Sequence, residues 1–98
     1  MYFNKQGKPI GLMTWAQLLE ERNYKIVEQT ELKNGKWVST VWLGLNHNWE
    51  DGPPLIFETM VFSKRGDYGT EEDCERYSTL EEAIKGHKKL VKKYDTKK

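Results

Sequence analysis

The run Tyr24-Lys25-Ile26-Val27-Glu28-Gln29-Thr30-Glu31-Leu32, then Lys33-Asn34-Gly35-Lys36, then Trp37-Val38-Ser39-Thr40-Val41-Trp42-Leu43-Gly44-Leu45, decides the architecture. Two β-prone segments flank Asn34-Gly35, and that dipeptide favours a two-residue hairpin loop because both central residues of a type I′ turn need positive φ. A hairpin over 24–45 is therefore expected. With Asn34-Gly35 as the loop, Leu32 faces Trp37, Thr30 faces Ser39, Glu28 faces Val41, Ile26 faces Leu43 and Tyr24 faces Leu45. That side is the expected core. The other side carries Glu31, Gln29, Val27 and Lys25 with Val38, Thr40, Trp42 and Gly44, which leaves Trp42 as a large aromatic on the more polar face.

Moving outward, Pro53-Pro54 cannot donate ladder hydrogen bonds, so a third strand is expected to begin after it, over 55–63. Leu55, Phe57, Thr59 and Val61 share one face, and Ile56, Glu58, Met60 and Phe62 the other. Both faces are apolar. Something must cover the second one, either the N-terminal helix or a partner subunit. Residues 64–77 read as a polar loop. Ser78-Thr79-Leu80-Glu81-Glu82 then offers two overlapping capping boxes, Ser78 with Glu81 or Thr79 with Glu82, ahead of a helix over 79–94. Its stripe, Leu80, Ala83, Ile84, His87, Leu90, Val91 and Tyr94, has the spacing of a helix packed on one side.

At the other end, Tyr2-Phe3 reads as a short strand before a turn at Gly7 and Pro9. Thr14-Trp15-Ala16-Gln17 resembles a capping box for a short helix over 15–22, with Asn23 placed to end it in the left-handed region. The expected fold is α+β. A three- to four-stranded, mainly antiparallel sheet (hairpin 24–45 plus strand 55–63) is covered by the C-terminal helix, with the short N-terminal helix beside it, as a single domain over 1–98.

Composition narrows the function classes. Ninety-eight residues leave room for one core, and the apolar runs Leu55-Ile56-Phe57 and Met60-Val61-Phe62 are too short to cross a bilayer. The first seven residues have no apolar stretch behind their positive charge, so no secretory signal is expected. The 16 basic and 15 acidic residues are unevenly spread: 8 and 7 over 1–65, 1 and 5 over 66–80, 7 and 3 over 81–98. A basic stripe beside an acidic cluster does not suit a duplex-DNA binder, which gains affinity by neutralising phosphates. The lysines at 85, 88, 89, 92 and 93 also have a plain reading, as the solvated face of the last helix. Cys74 lies among Glu71, Glu72, Asp73 and Glu75, which should raise its thiol pKa and dull its reactivity.

Two places could carry chemistry. His87 takes a stripe position that an ordinary helix would give to leucine, facing Glu28 or Thr59; it is either a satisfied core pair or a proton-transfer or ligand-contacting group. The loop Asn46-His47-Asn48-Trp49-Glu50-Asp51-Gly52 concentrates amides, an imidazole, an indole and carboxylates, the usual make-up of a recognition site on rigid strands. Trp42 and Trp49 could stack on a nucleobase, with Arg65, Lys64 or the last helix's lysines holding phosphate; Trp49 reads equally as a plug over the sheet end. The candidate ligand-binding residues are thus Trp42, Asn46, His47, Trp49, Glu58, Arg65 and His87. Templates for zinc, phosphate-loop, dithiol or serine chemistry are missing, so no cofactor and no metal is expected. His47, Glu58 and His87 would meet only if the third strand twisted or bulged.

The run Val38 to His47, then Gly52-Pro53-Pro54-Leu55-Ile56-Phe57-Glu58-Thr59-Met60-Val61-Phe62, then Tyr77-Ser78-Thr79 with Glu82-Ala83 and Gly86-His87, resembles a family of small proteins carried by bacteriophages and prophages. Tyr2-Phe3 and Gly7-Lys8-Pro9-Ile10 also resemble that family's start, although Asn46 replaces the aspartate that many relatives place before the loop histidine. The resemblance implies a phage accessory protein acting in the host bacterial cytoplasm, of the kind that counters host defences. Three functions are then in view. The first is a non-enzymatic module that binds and sequesters a small nucleotide-type defence signal. The alternative is a protein–protein inhibitor of a host defence or regulatory protein, or a phage assembly accessory. The third is a small hydrolase using His47 and His87. A homodimer is expected, because the second apolar face needs a cover.

Overall fold

A three-residue loop, not a two-residue one, closes the central hairpin of the computed structural model, which describes residues 1–46 and 52–95. The Gly35 N–H donates to the Leu32 carbonyl at 2.9 Å and the Leu32 N–H to the Lys36 carbonyl at 2.8 Å. Gly35 has φ of 90°, whereas Asn34 does not enter the positive-φ region. Asn34 spends its side chain instead, its Oδ1 accepting from the Lys36 N–H at 3.0 Å. The result is a turn followed by a left-handed bulge residue rather than a type I′ pair.

One extra loop residue moves the register by one. Strand β3 (Ile26–Glu31) pairs antiparallel with β4 (Trp37–Trp42), setting Thr30 opposite Val38, Gln29 opposite Ser39 and Glu31 opposite Trp37. A slip of one turns a strand's side chains over. The expected faces of β4 are therefore exchanged: Val38, Thr40 and Trp42 lie fully buried on the core side with Thr30 and Glu28, while Ser39 and Val41 lie on the opposite side. Trp42, expected on the polar face, is a core residue. A bulge at Val27 lets Ile26 pair with Val41 while Val27 packs against the core.

Strand β5 (Phe57–Phe62) continues the sheet antiparallel to β4, and β6 (Glu71–Tyr77) adds a fourth strand, giving the order β3-β4-β5-β6. Phe57, Thr59 and Val61 face the core, as the alternation predicts, and pair with Trp42, Thr40 and Val38. The strand β6 replaces the second half of the expected 64–77 loop. Its sequence Glu-Glu-Asp-Cys-Glu-Arg-Tyr hides it, because a charged edge strand has no apolar alternation to read.

Helix α3 (Leu80–Tyr94) covers one face of the sheet. Of the two capping boxes, the Thr79–Glu82 one forms, with the Glu82 N–H donating to Thr79 Oγ1 and the Thr79 N–H to Glu82 Oε1, each at 3.1 Å. Ala83, Gly86, His87 and Leu90 are its buried positions. Gly86 is needed for close approach: a Cβ there would fall 2.2 Å from the ring and hydroxyl of Tyr77. Alongside, Lys89 pairs with Glu75 at 3.4 Å and Lys93 with Asp73 at 3.3 Å. The acidic and basic blocks of the sequence thus lie side by side and partly neutralise each other.

The N-terminal segment closes the other end of the core. A small hairpin of β1 (Tyr2–Phe3) and β2 (Pro9–Ile10) leads into α1 (Leu12–Glu20) and a single turn, α2 (Arg22–Lys25). The helix begins three residues before the expected 15–22 because Gly11, with no side-chain cap, starts it, and the Trp15 N–H donates to the Gly11 carbonyl at 3.0 Å. Asn23 does not end it but sits inside α2. Trp15, Leu18, Leu19 and Tyr24 pack against Trp42, Ile56, Phe57 and Ala83. Among the described residues, no helix is long and apolar enough to cross a membrane.

Candidate functional site

His87 is wholly buried beneath α3 and is fully engaged there. Its Nε2 lies 2.8 Å from Thr30 Oγ1 and its Nδ1 2.7 Å from Thr40 Oγ1, which in turn bonds Thr59 Oγ1 at 2.5 Å. Tyr77, whose hydroxyl is also bonded to Thr59 and donates to Glu75 at 3.3 Å, extends the chain of polar groups to the β6 edge. Burial pushes the imidazole pKa below its ordinary value, and the Glu28 carboxylate at 3.7 Å opposes that only in part. Burial likewise raises Tyr77 to about 12. Such a network holds the sheet in one arrangement and satisfies groups that would otherwise be costly to bury.

The other face of the sheet is different. Val41, Leu43, Met60 and Phe62 floor a groove, Lys25 and Arg22 stand at its rim, and Tyr68 reaches over it from the 64–70 loop. Two adjoining hollows, of about 400 and 180 Å³, share Lys25, Ser39, Val41 and Tyr68 as walls. Tyr68 meets Phe62 edge-on, with ring centroids 5.1 Å apart, yet is 66% exposed. Arg65 lies over the Trp37 ring at 4.8 Å. The apolar side of the third strand, for which a helix or a partner was expected, is therefore partly covered by this chain's own Arg65 and Tyr68.

Glu58 is the acidic group of that groove. Its side chain is only 10% exposed; its Oε2 accepts from Arg76 Nε at 2.9 Å and from the Cys74 thiol at 3.5 Å. Burial first, then Glu58, pushes the Cys74 thiol up to about 11. Glu58 Oε1 has no hydrogen-bond partner among the described residues. Arg22 and Lys25 have no ion-pair partner there either, although Glu20 shares their rim.

Of the seven residues singled out from the sequence, the five that the structure describes are not gathered at one place. Trp42 is core, its Nε1 donating to the Phe3 carbonyl at 3.0 Å, so it cannot stack on a ligand. His87 is core beneath α3. Glu58 lies on the opposite face of the sheet from His87, and Arg65 shares that face. Asn46 is exposed and tethers the chain, its Oδ1 accepting from the Leu55 N–H at 3.0 Å. His47 and Trp49 lie outside the described residues. Sequence reasoning missed Arg22, Lys25, Ser39, Met60, Phe62 and Tyr68; the shifted register is the signal that would have put Ser39 and Val41 beside Met60 on one face.

Among the described residues, no group of three or more His, Cys, Asp or Glu is placed to hold a metal ion. Comparison with protein-family models, with curated proteins and with solved structures gave no match to this chain.

Proposed function

We propose that this chain is a non-enzymatic binding module that holds, and so sequesters, a small nucleotide-type molecule on the open face of its sheet. The observation that carries the reading is the groove beneath Tyr68, where an exposed aromatic ring and an apolar floor adjoin two cations with no ion-pair partner among the described residues. A base needs a planar partner and a dry floor, and a phosphate needs cations and polar groups; Tyr68 with Val41, Met60 and Phe62 supplies the first, and Arg22 and Lys25 with Ser39 and Gln29 the second. The volumes suit a drug-sized ligand. In the phage setting that the sequence resembles, the ligand is a nucleotide signal of host defence, held in the bacterial cytoplasm.

Titration calorimetry against linear, cyclic and ADP-ribose-type nucleotides tests the reading. Binding is expected to at least one class, weakened about tenfold by Tyr68→Ala and by Lys25→Ala, each a loss of the size of one stacked ring or one charged contact. No heat with any class overturns it.

A second reading has its own observation. Leu12 and Met13, at the start of α1, stand 56% and 74% exposed and do not line either hollow, which favours a protein partner. Leu12→Ser with Met13→Ser would then abolish inhibition of the host protein while leaving nucleotide binding intact; unchanged inhibition rejects it.

A further inference from the structure

Resting on the nucleotide reading, we infer that Glu58 selects the base: its free Oε1 accepts from an exocyclic amine while Arg22 and Lys25 hold the phosphate end. Three observations converge. Glu58 lines the smaller hollow with Lys25, Met60, Phe62 and Tyr68, so a ring lying under Tyr68 has its edge directed at that wall. The side chain is nine-tenths buried, with Arg76 and Cys74 both on Oε2, while Oε1 has no partner among the described residues and stays open to solvent. A ligand that fills the hollow displaces water from that oxygen, so one that brings an N–H to it is favoured over an analogue lacking one. Arg22 and Lys25 line the larger hollow with Glu20, and Lys25 is shared with the smaller one, so a ligand spanning both meets two cations at one end and Glu58 at the other.

Arg76 sets how Glu58 presents itself. It stands opposite Glu58 on β6 and donates to Oε2, which leaves the other oxygen to a ligand donor. The pair is a specificity device, with no bond made or broken. Adenine and cytosine carry an exocyclic amine that donates to a single carboxylate oxygen; uracil does not.

The experiment compares adenosine monophosphate with its analogue in which hydrogen replaces the exocyclic amine, by calorimetry on the full chain. The wild type is expected to prefer the amine-bearing nucleotide roughly tenfold, the size of one hydrogen bond to a charged group. Glu58→Met is expected to bind both within about threefold of each other, the loss of one discriminating contact. Arg76→Ala removes the group that holds Oε2, and is expected to reduce the preference to a value between those of the wild type and Glu58→Met; an unchanged preference overturns the role of Arg76. Equal binding of the two nucleotides by the wild type overturns the role of Glu58 while leaving the nucleotide reading standing. Absence of binding to either one, and to every nucleotide of the wider panel, overturns both. Should Glu58→Met fail to fold, the wild-type comparison decides.

Discussion

His87 Nδ1 lies 2.7 Å from the hydroxyl of Thr40, between α3 and the sheet that it covers. The pair converts a histidine that looked like a reactive group into one that is already satisfied. Both ring nitrogens are occupied by threonine hydroxyls, and burial lowers the imidazole pKa from its ordinary value.

Stability should consequently fall on mild acidification. The unfolded chain takes up a proton at the ordinary histidine pKa of about 6.5, whereas burial lowers the folded value. Between those two pH values the unfolded state binds more protons, so stability declines as pH drops below 6.5. Thermal melts from pH 7.5 to 5 should show a falling Tm for the wild type and a flatter profile for His87→Gln. Parallel profiles would contradict it. Asp73, whose pKa the Tyr94 hydroxyl and then Lys93 hold down, acts in a separate window, losing stability only below its ordinary value of 3.8.

Gly86→Ala should destabilise by about 1–3 kcal/mol, the usual cost of forcing atoms into a packed core. The added methyl would overlap the Tyr77 ring. Combining it with Tyr77→Leu should cost less than the two single changes together, which urea titrations of all four proteins would reveal. Strict additivity would show that the ring is not what the glycine accommodates.

The two buried tryptophans of β4 should respond unequally to phenylalanine. Trp42 donates its indole N–H to the Phe3 carbonyl at 3.0 Å, whereas the buried Trp37 Nε1 has no partner among the described residues. Trp42→Phe leaves a carbonyl unpaired and should cost about 1 kcal/mol more than Trp37→Phe, which removes a donor that was already unsatisfied. Chemical denaturation gives the difference directly, and the reverse order would be inconsistent with the register.

Cys74 should be slow to alkylate in the native protein. A thiol raised from 9.0 to about 11 has far less thiolate at pH 8. Iodoacetamide labelling should proceed at least tenfold more slowly than in urea; equal rates would mean that Glu58 and burial do not act on the sulfur as the structure places them.

The chain displayed its outline plainly and its surface poorly. Helix α3 was readable because Thr79 and Glu82 cap it locally and Leu80, Ala83, His87 and Leu90 repeat at helical spacing, both properties of neighbours in sequence. The faces of Phe57, Thr59 and Val61 followed from simple alternation. Strand β6 was not readable, since its charged side chains are placed by lysines of α3 that lie 14 and 20 positions further along.

What local chemistry determined was therefore the central hairpin, the third strand, the two longer helices, the helix cap and the polar stripe position of His87. What only the tertiary structure decided was which way β4 faces. That choice turned on whether Asn34 adopted positive φ or used its side chain to hold Lys36; Asn-Gly favours the first but is compatible with both. A loop longer by one residue sent Trp42 inward and Ser39 and Val41 outward, and thereby put the groove beside Glu58, Lys25 and Tyr68. Pairing across a sheet is cooperative over its whole length, so one local conformation settles the facing of a strand and, with it, the location of the site.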